Sequence, residues 1–234
     1  HYTDGEIEKI IDEIDRDTVM YLINALTFDA QWETRYQKED IDSERFTNYD
    51  GTQSTVQMLA SEESTYLSAD GIRGFAKNYA GNRYSIVALL PDEETDLYAC
   101  IDTLDGAGWM KLWNSRKNTS VSVKMPEFTY RAKMKLNNAL QAMGMTDMFG
   151  EKANFSKLGY SERGGLFCSE VGQEVLIRVD RNGTKAAAIT WGGMKDEAAP
   201  PIEPLRVILD RPFVYAIVDN ATGLPLFVGA VTSL

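Results

Sequence analysis

Hydrolytic and metal chemistry rest on histidines, thiols and paired carboxylates at set spacings, and this sequence supplies few of them. Its one histidine is His1, so neither a Ser-His-Asp or Cys-His site nor a multi-histidine metal site can be assembled. No Gly-x-Ser-x-Gly, Ser-x-x-Lys or metal-ligand cluster is present; no catalytic residue, metal or cofactor is expected. The acidic runs Glu62-Glu63 and Asp92-Glu93-Glu94 are capable of general acid–base work but read as solvated loop charges. Met58, Met125, Met143 and Met145 read as core filler. Cys100 and Cys168 allow at most one disulfide and read as buried free thiols. The unusual stretch is 180–201, DRNGTKAAAITWGGMKDEAAPP, rich in small side chains without being polar. In an extended chain Thr184, Ala186, Ala188, Thr190, Gly192 and Met194 share one face, and Lys185, Ala187, Ile189, Trp191 and Lys195 the other. One face is thus small until its end, as a strand must be to slide between two packed neighbours, where large side chains would overpack by ~1–3 kcal/mol. The same composition suits a flexible surface loop.

The elements that would carry this stretch are mostly strands. A capping box at Thr3-Asp4-Gly5-Glu6, followed by Ile7, Ile10, Ile11 and Ile14, predicts a short amphipathic helix. Val19 to Phe28 is a nearly continuous apolar run and predicts a strand buried on both faces, with Asn24 hydrogen-bonded inside. Strands are predicted at Val56–Leu59, Thr65–Leu67, Gly74–Tyr79 and Tyr84–Leu90. Gly106 and Gly108 split a helical stretch between Thr95 and Trp113. Val121, Val123 and Met125 alternate, and Pro126 shifts the phase to Phe128 and Tyr130. A helix with Leu136, Leu140 and Met143 inward ends at Gly144. Val171–Asp180 follows as a strand, and Phe213–Val218 with Leu224–Val231 closes the chain as a strand pair. At 234 residues the chain has ample length for a core. Its net charge of −11 excludes phosphate backbones and anionic membranes as principal partners. An apolar run such as Ile86–Leu90 falls far short of the ~18 residues that span a bilayer. Four Asn-x-Ser/Thr sequons, at Asn118, Asn154, Asn182 and Asn220, fit turn preference.

Read in order, several motifs resemble the C-terminal portion of a serpin, a serine protease inhibitor, of bacterial type. They are Asn24-Ala25-Leu26-Thr27-Phe28 with Trp32; Phe46 to Met58; Leu136 to Phe149; Ser169-Glu170-Val171 leading to Gly183-Thr184-Lys185-Ala186-Ala187-Ala188; and Pro212-Phe213 with Leu226-Phe227-Val228-Gly229. The resemblance covers essentially the whole chain. It implies a mixed α/β multi-sheet serpin fold, mostly antiparallel with peripheral helices, in which residues 1–234 are the C-terminal part of one domain and the N-terminal helical portion is missing. Alone, the segment should then expose sheet edges and part of a core. The implied function is that of a suicide substrate: a target serine protease cuts a reactive-centre loop at about residues 183–204, a covalent acyl complex forms, and the loop inserts into the central sheet. Gly183, Thr184, Lys185, Ala186, Ala187 and Ala188 would form the hinge, Glu197-Ala198 the bond cut, and Asn24, Trp32 and Gln173 the sheet-opening region, Asn24 and Gln173 as a hydrogen-bonded latch. Met194, Lys195, Ala198 or Ala199 could present the scissile bond instead. Arg181, Asn182 and Lys185 depart from the family's acidic residues, and Ile189 and Trp191 are bulky. The alternative is a non-inhibitory serpin-like binding or carrier protein whose loop is cleaved as a plain substrate. A secreted, extracellular location is implied by the resemblance alone.

Overall fold

The computed structural model describes residues 20–159, 165–184 and 205–234. The helix predicted near residue 3 and most of the small-residue stretch lie outside them. In chain order the strands and helices are β1 (Tyr21–Thr27), β2 (Ala30–Gln31), β3 (Ile41–Thr47), β4 (Gln53–Ala69), β5 (Ile72–Asn78), β6 (Tyr84–Pro91), α1 (Leu97–Asp102), α2 (Gly106–Asn114), β7 (Lys117–Pro126) and β8 (Phe128–Lys135). There follow α3 (Asn137–Ala142), β9 (Glu170–Asp180), β10 (Gly183–Thr184), β11 (Leu205–Ile208), β12 (Phe213–Asp219) and β13 (Pro225–Val231). The chain forms two compact units, one from residues up to Phe28 with Thr129–Arg178, the other from Asp29–Phe128 with Val179–Leu234.

The larger unit holds an eight-stranded sheet ordered β11-β7-β4-β5-β6-β12-β13, with β3 paired to β4. Its central strands are apolar on both faces because both faces are covered, which explains the unbroken runs in β6 and β12. On one side Leu67, Val87, Leu89, Val214 and Ala216 pack against Leu97, Cys100, Trp109 and Trp113 of α1 and α2. The two helices separate as predicted, and aspartates start both: the Asp96 carboxylate accepts from Tyr98 and Ala99 N–H, and that of Asp105 from Gly108 N–H. The strands predicted at 56–59 and 65–67 are one, β4. The polar residues between them pair with β7, with a register shift between Glu63 and Thr65. Glu63 is consequently not a loop charge; it is ion-paired to Lys77 at 2.7 Å. Asp92, Glu93 and Glu94 are exposed in the turn after β6. The short parallel strand β11, on β7, was not foreseen.

In the smaller unit β1 pairs in parallel with β9, from Tyr21 opposite Glu170 to Thr27 opposite Leu176, and β8 also pairs with β9. The two-faced burial expected for β1 is not found: Leu22, Ile23 and Asn24 are exposed. A continuous apolar run shows only that both faces can be buried, and among the described residues β9 is the one strand paired with β1. At α3, the capping residue Leu136 and Leu140 within the helix are half-buried, but Met143, just past its end, is 79% exposed. Met143 and Met145 are thus surface residues, whereas Met58 and Met125 are core filler as predicted. Gly144, with φ +96°, ends the helix. Both cysteines are free and buried. Among the described residues no helix is long and apolar enough to cross a membrane.

Candidate functional site

The site is built where β9 turns back on itself. The Asp180 carboxylate accepts the N–H groups of Asn182 (2.7 Å) and Gly183 (3.3 Å), closing a tight turn at Arg181-Asn182. The chain returns as β10, antiparallel to the end of β9, with Gly183 opposite Asp180 and Thr184 opposite Val179. On its other side β10 pairs with β2. Only glycine fits at 183: its φ is +152°, and a Cβ there would lie 2.2 Å from the Ala30 carbonyl oxygen and 2.6 Å from Gln31 Cα.

Three successive carbonyls of the turn are held from one side. Trp32 donates its indole N–H to the Asp180 carbonyl at 2.8 Å and its backbone N–H to that of Asn182 at 3.0 Å. The Tyr36 N–H donates to the Arg181 carbonyl at 3.1 Å. From elsewhere the Glu127 carboxylate accepts the Arg181 N–H at 3.2 Å and lies 3.6 Å from its guanidinium. Thr184 is fully buried, its hydroxyl 2.7 Å from that of Tyr79. The Tyr79 ring stacks on Trp32 at 4.6 Å, and the Tyr36 ring meets Trp32 edge-on at 6.4 Å. Burial raises the Tyr79 phenol well above its ordinary pKa. It raises that of Tyr36 too, with the Glu63 carboxylate adding to the effect.

Of the residues singled out from the sequence, Trp32, Gly183 and Thr184 are brought together here. Asn24 and Gln173 stand opposite each other in the β1–β9 register, with Asn24 exposed and Gln173 half-buried. Lys185, Ala186, Ala187, Ala188, Glu197 and Ala198 lie outside the described residues, as do Met194, Lys195 and Ala199. Sequence reasoning missed Tyr36, Lys77, Tyr79 and Glu127. Tyr79 marks only the end of a predicted strand, and its partner Thr184 is 105 residues away.

A family model described as Serpin (serine protease inhibitor) matches residues 1–234. The chain belongs to the serpin family. It is 36% identical to the glia-derived nexin of Rattus norvegicus over 227 residues, 92% of this chain and 54% of that protein. Among solved structures it resembles a thermophilic serpin, tengpin, in the native state, with TM-score 0.91 and 45% identity over 99% of this chain and 60% of that one. Against tengpin in the latent state the TM-score is 0.80, with 39% identity over 99% of this chain and 62% of that one. The serpin chain therefore spans little more than half the length of the curated relative it matches. The multi-sheet fold with few helices is that of the family.

Proposed function

We propose that the protein carrying this chain inhibits serine endopeptidases as a suicide substrate, acting outside the cell as the family resemblance implies. The protease serine hydroxyl adds to the Glu197 carbonyl, the bond to Ala198 breaks, Ala198 leaves as a new protonated amino terminus, and Glu197 stays esterified to the serine. Inhibition requires that the arm from Gly183 to Glu197 move before water hydrolyses that ester.

The observation that carries this reading is the register of β10. Continued along β9, the antiparallel pairing of Gly183 with Asp180 and Thr184 with Val179 sets Lys185 opposite Arg178, Ala186 opposite Ile177 and Ala188 opposite Val175. The small residues then fall on the face of Val179 and Ile177, both buried, and Lys185 beside the exposed Arg178. Residues 187–193 fall opposite Leu176 to Glu170, the length of β9 that β1 now occupies in parallel. Insertion exchanges that parallel seam for two antiparallel ones, a change favoured per residue. About ten added backbone hydrogen bonds at a net ~1 kcal/mol each give on the order of 10 kcal/mol before ordering entropy. The closer match to native than to latent tengpin supports the reading of the paired β1–β9 seam as the state before insertion.

The second reading, a non-inhibitory binding or carrier protein, rests on Ile189 and Trp191. Continued in the same register, Ile189 would come opposite the buried Glu174, where its bulk would hinder insertion. Incubation with glutamyl-, trypsin-, elastase- and subtilisin-type serine proteases decides between the two. An adduct that survives SDS, with the cut located by mass spectrometry, is expected. Clean cleavage without adduct across the panel establishes the carrier reading.

A further inference from the structure

Trp32 and Tyr36 donate hydrogen bonds to the three successive carbonyls of Asp180, Arg181 and Asn182, and one buried cation faces both of their rings. Lys77 Nζ lies 4.5 Å from the Tyr36 ring centroid and 5.6 Å from that of Trp32. Its side chain is 4% exposed, and it donates at 2.7 Å to a Glu63 carboxylate that is itself 12% exposed. The same carboxylate oxygen accepts from the Ser61 hydroxyl at 2.6 Å, and Ser61 in turn lies 3.3 Å from the Tyr36 hydroxyl. Glu63 sits where β4 shifts register against β7, a place where a strand re-aims a side chain.

A buried ion pair of this kind is poor evidence of stability, because packed apolar residues commonly replace one without loss. Its placement is more specific than a stability role requires. A desolvated ammonium against two aromatic faces attracts both, so it ties together the two residues whose N–H groups grip the turn. Trp32 also carries, through its stack on Tyr79, the hydroxyl pair that buries Thr184.

We propose that Lys77, held by Glu63, is a positioning residue that keeps the Trp32–Tyr36 clamp shut on the hinge and so sets the rate at which the loop enters the sheet. This rests on the reading given under Proposed function. The two stages of the test separate its failure from that of the reading.

The probe is a labelled synthetic peptide of residues 184–191, TKAAAITW, and the readout is its rate of uptake by the intact encoded protein, alongside the melting temperature before and after loop cleavage. For the wild type, slow uptake and a rise in melting temperature on cleavage are expected. If neither occurs, the insertion reading itself is lost. The double variant K77M/E63L replaces the pair by apolar side chains and is expected to keep the wild-type urea midpoint while taking up peptide about ten-fold faster, a barrier change of ~1.4 kcal/mol. K77Q, which keeps a polar partner for Glu63 but no cation, is expected to show the same acceleration. A purely structural role makes uptake follow stability instead. With wild-type uptake established, a wild-type rate in either folded variant overturns the assignment of Lys77 and leaves the insertion reading standing.

Discussion

At the residue scale the turn from β9 into β10 is defined by what cannot be changed. An alanine at 183 would need both a left-handed backbone and a Cβ 2.2 Å from the Ala30 oxygen, so G183A is expected to cost ~2–4 kcal/mol in urea unfolding. Thr184→Val keeps the volume but leaves the buried Tyr79 hydroxyl without the Thr184 oxygen. It is expected to cost ~1–3 kcal/mol, and T184S should recover most of that loss because it restores the oxygen. Gly183, Thr184 and Trp32 were legible because they belong to motifs read along the chain. Tyr79, Lys77 and Glu63 were not. Tyr79 and Lys77 look like ordinary strand residues and Glu63 like a loop charge, and their roles come from packing against residues distant in sequence, which no local periodicity encodes. The sequons show the same limit, since Asn220 is engaged by Ser85 and by the Asn82 carbonyl.

At the element scale the strands β6, β9, β12 and β13 were legible at nearly their true bounds, and β7 only in its alternating half, since it begins at Lys117. The failures have separate causes. The strand β11 is four residues long and pairs in parallel, too short for a period to show. The burial of β1 was overread because an apolar run does not name its neighbours. The inward face of α3 was misjudged at Met143, one residue beyond the helix, where the chain has already begun to turn. The register of β9 and β10 yields a prediction of its own. If the loop enters the sheet as proposed and keeps that register, Trp191 comes opposite Gly172, where a Cβ meets nothing within 4 Å. Gly172→Val should therefore leave the unfolding midpoint within ~1 kcal/mol of wild type, since valine suits a strand, while it crowds the incoming indole. The fraction of encounters ending in plain hydrolysis is expected to rise at least about three-fold. Adding W191A should restore trapping. Unchanged partitioning in G172V would show that the loop enters in another register, or not as far as Trp191.

At the scale of the whole molecule, two global measurements report on the buried core and on this site. The first is stability in alkali. The Tyr36 and Tyr79 phenols are raised by burial, and the Cys100 thiol is pushed up to about 11. Each group holds its proton in the folded state at a pH where the unfolded chain has lost it. The stability is therefore fully present below the unfolded pKa values and falls as pH rises, from about pH 9 for the thiol and about pH 10 for the phenols. Each contributes at most ~1.4 kcal/mol per pH unit. Urea midpoints between pH 8 and 11 should fall progressively, and Y79F should flatten the upper limb by one group's slope. An identical slope in Y79F would mean that its phenol ionises in the folded protein. The second measurement is thermal unfolding before and after the loop is cut. If β10 is the beginning of a longer strand held back by its clamp, cleavage frees residues 185–197 to displace β1, and the sheet gains hydrogen bonds without losing its core. At ~2–4 °C per kcal/mol for a chain of about this size, several kcal/mol of net gain should raise the melting temperature by at least ~10 °C. A static loop gains no partner when cut, and its melting temperature can only stay or fall. A cut protein that melts with the intact one would therefore reduce Gly183-Thr184 to an ordinary two-residue strand and remove the basis for trapping.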